Sequence, residues 1–307
     1  MRSVETSPFR RVFRKPAAAT PAQLEALRAA LSDAIGVQSR FADAAPGCLR
    51  YLSTLQEDET SFYVLHEPAV AMLPANIYDQ ALPHLPLPEL LELIHAVSGV
   101  IAAAHDVKPV GIVHGGLHPA CLLRGMDGDV RVADFNVAAA YCKAISPDLY
   151  SSLTVQIPPP GAEGGATGIW DSPGWGELRD DRLLPFIAPE KFAEQTLDVF
   201  TKAADAYALG VIAYLMAERC HPYIDTNDLG DCPHRYTWFR DELTMKQPNA
   251  LRRAAWLRAS EALPSGARTL IEQLVRDTAS TRPSFDQISK RAAELLQLAT
   301  APRPSAE

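Results

Sequence analysis

Gly111-Ile-Val-His-Gly-Gly-Leu-His-Pro-Ala-Cys-Leu-Leu123 and, a short way downstream, Val132-Ala-Asp-Phe-Asn136 decide how this chain is read. Ala120 to Arg124 and Val130 to Asp134 are β-prone, and the Met-Asp-Gly-Asp turn between them predicts two short strands with a tight link. His114, His118 and Cys121 cluster in the loop that leads into this pair, and Asp134 closes it. Immediately upstream, Leu90, Leu91, Ile94, Val97, Ile101 and Ala104 recur at helical spacing and predict a long core helix.

Further upstream the chain is small and mixed. Phe9 to Lys15 reads as a strand. Pro21 to Ile35 reads as a helix, with Leu24, Leu27 and Leu31 on one face, Thr20 as N-cap and Pro21 in its first turn. Leu49 to Leu55 and Ser61 to His66 read as two adjacent strands around a polar turn. Downstream, residues 157–185 are rich in Gly, Pro and Asp and predict a long irregular loop, with Trp170 and Trp175 as candidate partner anchors. A very apolar helix follows at Asp205 to Ala217, then helical sequence to about Leu298 and a polar tail. The order is a strand-rich part over residues 1–68, a hinge near Glu67-Pro68, and a helical part over 69–298 that carries an insertion at 158–181. The tail at 299–307 is expected to be disordered.

The bulk numbers suit a soluble globular chain. It has 307 residues, 47% hydrophobic and 21% charged, with a formal net charge of -8 and a pI near 5.5. That acidity argues against a broad nucleic-acid or anionic-membrane surface, either of which needs excess Lys and Arg. Arg2, Arg10, Arg11 and Arg14 form a small basic strip, read as a solvated strand edge. The five cysteines (Cys48, Cys121, Cys142, Cys220 and Cys232) are odd in number and scattered, as reduced thiols are. Cys220-His221 with Cys232 and His234 is a weak zinc pattern. Neither a signal-peptide core nor a membrane-length run is expected, the best candidate being Ala208 to Ala217. A cytoplasmic location follows as the expectation, and the abundance of Arg and Ala suggests a bacterial source.

Five segments in order resemble landmarks of the protein kinase family. Gly111 to Leu123 resembles the catalytic loop and Val132 to Asn136 the metal-binding DFG strip. Phe186-Ile-Ala-Pro-Glu190 resembles the APE end of the activation segment, and Ala204 to Val211 the start of the central helix. Asp277-Thr-Ala-Ser-Thr-Arg282-Pro283-Ser-Phe285 resembles the late RP motif. The resemblance covers residues 60–295 and implies a two-lobed α+β protein-kinase-like fold, with a reduced β-rich N-lobe and a helical C-lobe. It also implies that Glu190 pairs with Arg282, that Asp205 accepts from the catalytic-loop backbone, and that His114 and Phe135 stack between the lobes.

The same resemblance exposes losses. The catalytic base falls on Gly116, which has no acceptor; a general base is worth about 10²–10⁴ in rate. The phosphate-steadying Lys falls on His118. The second metal-binding Asn falls on Cys121, whose thiol is a poor ligand for magnesium. Asp134 survives as a candidate metal and cofactor contact, with Asn136 beside it in place of a Gly. No glycine-rich loop precedes Lys15, the candidate nucleotide-binding Lys. Phe13 would fill the adenine position, and Asp33 is the nearest candidate partner for Lys15. These losses predict a pseudokinase: a non-catalytic regulator or scaffold that binds another protein (a phosphatase, an active kinase or a secretion component), with no ATP or magnesium dependence. The alternative is a divergent phosphotransferase, nucleotidyltransferase or nucleotide sensor using Asp134, with Asp127 or Asp129 as further carboxylates.

Overall fold

A computed structural model of the chain describes residues 9–16, 19–72, 84–109, 111–145, 186–190, 201–219, 222 and 263–301. Strand β1 (Phe9–Arg14) leads into helix α1 (Pro21–Ala44). The start of α1 is fixed by a reciprocal capping box: Thr20 accepts from the Gln23 backbone and the Gln23 side chain accepts from Thr20 N–H. Its buried face is Leu27, Leu31, Ala34, Ile35, Gln38, Phe41 and Ala42, an apolar stripe with one polar member.

Strands β2 (Gln56–Glu57) and β3 (Ser61–His66) follow, and the first sheet has the order β1-β3-β2. β1 runs antiparallel to β3, from Phe9 opposite His66 to Arg14 opposite Ser61. The strand expected over Leu49 to Leu55 is largely absent: only an isolated bridge from Tyr51 to His66 and the short β2 flank β3. The Ser53 hydroxyl takes the Leu65 N–H at 3.0 Å, a bond a continuous ladder would have made with backbone.

Strand β4 (Ala69–Ala71) starts a second sheet, ordered β4-β5-β6, with β5 (Leu122–Gly125) and β6 (Val130–Val132). Between β4 and β5 lies α2 (Leu87–His105), and after β6 comes α3 (Val137–Ile145), a helix the sequence reading did not assign. The helical remainder is α4 (Lys202–Glu218), α5 (Ser265–Leu274) and α6 (Phe285–Thr300). α4 is buried on every side from Asp205 to Ala217, which explains why its sequence shows no polar stripe.

The result is a mixed α+β chain with two apolar clusters. One joins α2, α4, α5 and α6; the other fills the space between the first sheet, α1 and α3. The expectation that no stretch reaches membrane length needs correction. α2 has 19 residues at a mean hydropathy of 1.5, long and apolar enough by composition to span a bilayer, and it packs against α4 and α6. The 158–181 insertion with Trp170 and Trp175, Arg2, Cys220, His221, Cys232, His234 and residues 302–307 lie outside the described residues.

Candidate functional site

The loop from Gly111 to Cys121 is held from below by Asp205, near the start of α4. One carboxylate oxygen accepts the His114 N–H at 2.8 Å and the other the Gly115 N–H at 2.9 Å, while His105 Nε2 approaches at 3.2 Å. Gly111 and Gly115 sit at φ 82° and 78°, where a side chain would be strained. His114 is fully buried. Its Nδ1 accepts from Gly116 N–H, so the ring proton lies on Nε2, which donates to Ala133 O at 2.8 Å. Burial pushes its pKa down, against the pull of Asp205 and Asp134, and keeps the imidazole neutral. The ring lies 4.8 Å from that of Phe135, and Phe135 meets Phe41 of α1 edge-on at 5.4 Å.

Asp134 sits just beyond β6 in the left-handed region, φ 67°, as does Asn136 at φ 61°. Neither is glycine, so the surroundings must hold this turn. Gln38 supplies part of that hold. It is the polar member of the α1 stripe, accepting Phe135 N–H at 3.1 Å and donating to Leu49 O at 2.9 Å.

The Asp134 carboxylate is enclosed. Arg11 of β1 forks onto it, with Nε at 3.1 and 3.0 Å from the two oxygens and Nη2 in direct contact with Oδ2. The Tyr51 hydroxyl donates to Oδ1 at 3.1 Å, and Cys121 Sγ lies 3.7 Å from Oδ2. Burial raises the Asp134 pKa, but the Arg11 charge and its hydrogen bonds outweigh burial and leave it below the usual carboxylate range. Burial pushes the Tyr51 phenol and the Cys121 thiol well up. It also pushes His118 down to about 4. His118 Nδ1 lies 2.9 Å from Cys121 Sγ and 2.9 Å from Gly116 O. At neutral pH the cluster is therefore one ion pair, a neutral imidazole, a thiol and a phenol.

Gly116 borders α3. A Cβ placed on it would stand 2.9 Å from Ala138 Cβ, closer than methyl groups pack. α3 is tied on both flanks, by Tyr141 OH donating to Arg14 O at 2.7 Å and by Gln23 Nε2 donating to Ile145 O at 2.9 Å.

Lys15 lies elsewhere. Its ammonium pairs with Glu57 at 2.7 Å and donates to Asp58 O at 2.6 Å, while Arg11 is the cation facing Asp134. Asp33 is an exposed residue of α1. Phe13 is buried in the apolar cluster with Leu27, Leu31 and Phe62. Asp127 and Asp129 flank the β5–β6 turn, where Asp127 pairs with Arg131. Arg11, Tyr51 and Gln38 were missed by sequence reasoning. Gln38 at a core position of an apolar stripe was the available signal; Arg11 had none beyond the basic strip.

Away from this cluster, Arg282 forks onto Glu190 with two bonds of 2.7 Å. Its remaining N–H groups reach the carbonyls of Arg276, Ala203 and Asp277, and its guanidinium lies 5.0 Å over the Tyr207 ring. Among the described residues no three His, Cys, Asp or Glu side chains converge as metal ligands.

The chain is similar to serine/threonine-protein kinase 12 of Arabidopsis thaliana, with 27% identity over 192 residues. The match covers 62% of this chain and 32% of the relative, so the chain spans about a third of the protein it matches. No family model matches. Together with the α+β architecture, the similarity supports a protein-kinase-like relationship.

Proposed function

We propose that this chain is a two-lobed protein-kinase-like protein that works by binding another protein and does not transfer phosphoryl groups. Residues 1–68 form the reduced N-lobe in this reading and residues 69–298 the helical C-lobe, acting in the cytoplasm away from nucleic acid and membrane. The observation that carries the proposal is the Arg11 fork on Asp134. Phosphoryl transfer depends on metal ions that neutralise the phosphate charge, and on a base that orients the nucleophile. Here the surviving carboxylate faces an arginine and a phenol, with a protonated thiol beside it. That donor set does not fit magnesium, which asks for several oxygens in near-octahedral geometry. Gly116 offers no base, and the packing of Ala138 leaves no room for one.

The full chain tests this directly. Radiolabelled ATP with magnesium or manganese should leave no label on the protein or on generic acceptor proteins, and should leave the unfolding midpoint unchanged. A nucleotide at 100 times its dissociation constant adds about 2.7 kcal/mol of stability, a midpoint rise of about 5 °C or more on the scale of about 2–4 °C per kcal/mol. Label transfer abolished by Asp134→Ala would overturn the proposal in favour of a divergent phosphotransferase or nucleotidyltransferase. A midpoint rise abolished by the same substitution, without transfer, would point to a nucleotide sensor.

A further inference from the structure

Strand β1 has β3 on one side and, among the described residues, no strand on the other; α3 reaches that side only at Arg14. The ladder fixes which groups face that open side. Lys15 N–H bonds Thr60 O at 3.0 Å, so the residues of β1 two, four and six places before it (Phe13, Arg11 and Phe9) direct their backbone groups into the sheet. Arg10, Val12 and Arg14 direct theirs outward. The Arg14 carbonyl is taken by Tyr141 OH. Among the described residues, the N–H and C=O of Arg10 and Val12 and the N–H of Arg14 remain as an open edge.

The side chains of the same three residues share the outer, solvent-facing side of the sheet. Val12 is 49% exposed. Arg10 is held upright, its guanidinium 3.5 Å over the Tyr63 ring and paired with Asp58. Arg14 is exposed and has no ion-pair partner among the described residues. In a chain of net charge -8, residues 9–15 hold Arg10, Arg11, Arg14 and Lys15 and no acid. Proteins ordinarily blunt an open edge, because it templates pairing with another strand. Among the described residues this edge is blunted by its cations and, at the Arg14 carbonyl, by Tyr141; cations repel some strands and select others.

We propose that the open edge of β1 takes an extended acidic segment of a partner protein as an added antiparallel strand. The added strand would set an acidic residue beside Arg14, an apolar β-branched one beside Val12 and an acidic one beside Arg10. Backbone bonds to the edge would supply affinity, and the alternate side chains would supply choice of partner. A second copy of this chain fits less well: β1 paired antiparallel with itself about Val12 sets Arg10 opposite Arg14, and like charges in that position destabilise. The inference names the partner chemistry for the binding role proposed above, but its geometry does not depend on whether the chain is catalytic.

A fluorescein-labelled Thr-Glu-Thr-Val-Thr-Glu-Thr peptide, read by anisotropy against the full chain, tests it. The peptide should bind and weaken with added salt, and the Thr-Lys-Thr-Val-Thr-Lys-Thr version should not bind. Val12→Pro removes an N–H that β3 does not use, so the sheet should survive; binding should fall about tenfold or more, equivalent to 1.4 kcal/mol. Replacing the peptide valine with N-methylvaline should have the same effect without touching the protein. Arg14→Glu should weaken the acidic peptide and admit the lysine version. Equal binding by Val12→Pro and by the N-methyl peptide would reduce the contact to undirected charge and overturn the proposal. So would no binding at all, or a dimer in sedimentation that Val12→Pro dissolves, which would make a second copy the occupant. Failure here with no label transfer from ATP removes this inference alone; transfer that needs Asp134 removes the non-catalytic reading alone.

Discussion

Two arginine–carboxylate pairs divide this molecule. In the helical base, Arg282 forks onto Glu190 with every other N–H on a backbone carbonyl. Beneath the first sheet, Arg11 forks onto Asp134, supported by a phenol and a thiol rather than by carbonyls. The first pair ties α4, the segment around Glu190 and the turn before α6 into one body. The second joins a strand near the N-terminus to a left-handed turn that no glycine eases. One pair serves architecture, whereas the other occupies the carboxylate on which metal chemistry would depend.

The sharpest way to break the comparison is at the base. Arg282→Ala leaves Glu190 without its partner and strips bonds from three carbonyls. Loss of one member of a buried pair costs about 3–5 kcal/mol, so the unfolding midpoint should fall by about 6 °C or more. A shift under 2 °C would mean that the base does not depend on this tie.

Arg11→Met should cost somewhat less, about 2–4 kcal/mol, because Tyr51 still donates to Asp134. Its pH dependence is the more telling readout. With Arg11 present the folded pKa of Asp134 is depressed, so the pair's contribution is complete above the unfolded value near 3.9 and fades only in acid. Without Arg11, burial is largely unopposed and the folded pKa should rise above the unfolded value. A group shifted that way loses stability as pH climbs through its folded pKa. The gap in midpoint between wild type and Arg11→Met should therefore narrow as pH falls from 7 toward 4. A constant gap would mean that Asp134 is not the group Arg11 serves. The double variant Arg11→Met/Asp134→Asn should recover much of the loss at pH 7.

Gly116→Asp probes the same site by packing. Placing an acid there forces Cβ against Ala138, and overpacking of this kind costs about 1–3 kcal/mol. Adding Ala138→Gly should return part of that, measured by denaturant unfolding. Neither variant should gain phosphoryl transfer, since Arg11 and Cys121 remain around Asp134. Transfer in either one would mean that the absence of an acid at residue 116 is all that the proposed non-catalytic reading rests on.

The same division governs how much the sequence disclosed. In the base, each motif residue meets another motif residue or a motif backbone: Glu190 meets Arg282, and Asp205 meets His114 and Gly115. Such partners are legible because both carry a recognisable neighbourhood. The first helix was legible for a local reason, the Thr20 and Pro21 start, though it runs on to Ala44. Around Asp134 the partners come from segments with no signature. Tyr51 lies in a stretch whose strand is largely irregular, and α3 starts at Val137 directly after the left-handed Asn136. Gly116 looks like a deletion in the sequence; in the fold it is also the space into which α3 packs.

Lys15 and Arg11 put the lesson in its smallest measurable form. Arg11 lies in β1 and Lys15 one residue past its end, on the same inward face and four residues apart, and composition gives no reason to prefer either. Strand geometry decides. At about 3.3 Å per residue, four residues move a charge by more than the length of its own side chain. Lys15 therefore reaches Glu57 of β2, while Arg11 reaches Asp134. The Lys15 pair sits toward solvent, with Glu57 41% exposed at its side chain, and pairs of that kind contribute about 0–1 kcal/mol. Lys15→Met should move the midpoint by under about 2 °C and leave the pH profile of Asp134 intact, whereas Arg11→Met changes both. If Lys15→Met instead matched Arg11→Met in cost and pH dependence, the cation governing Asp134 would be Lys15, and the ion pair at the centre of the cluster would be a lysine's.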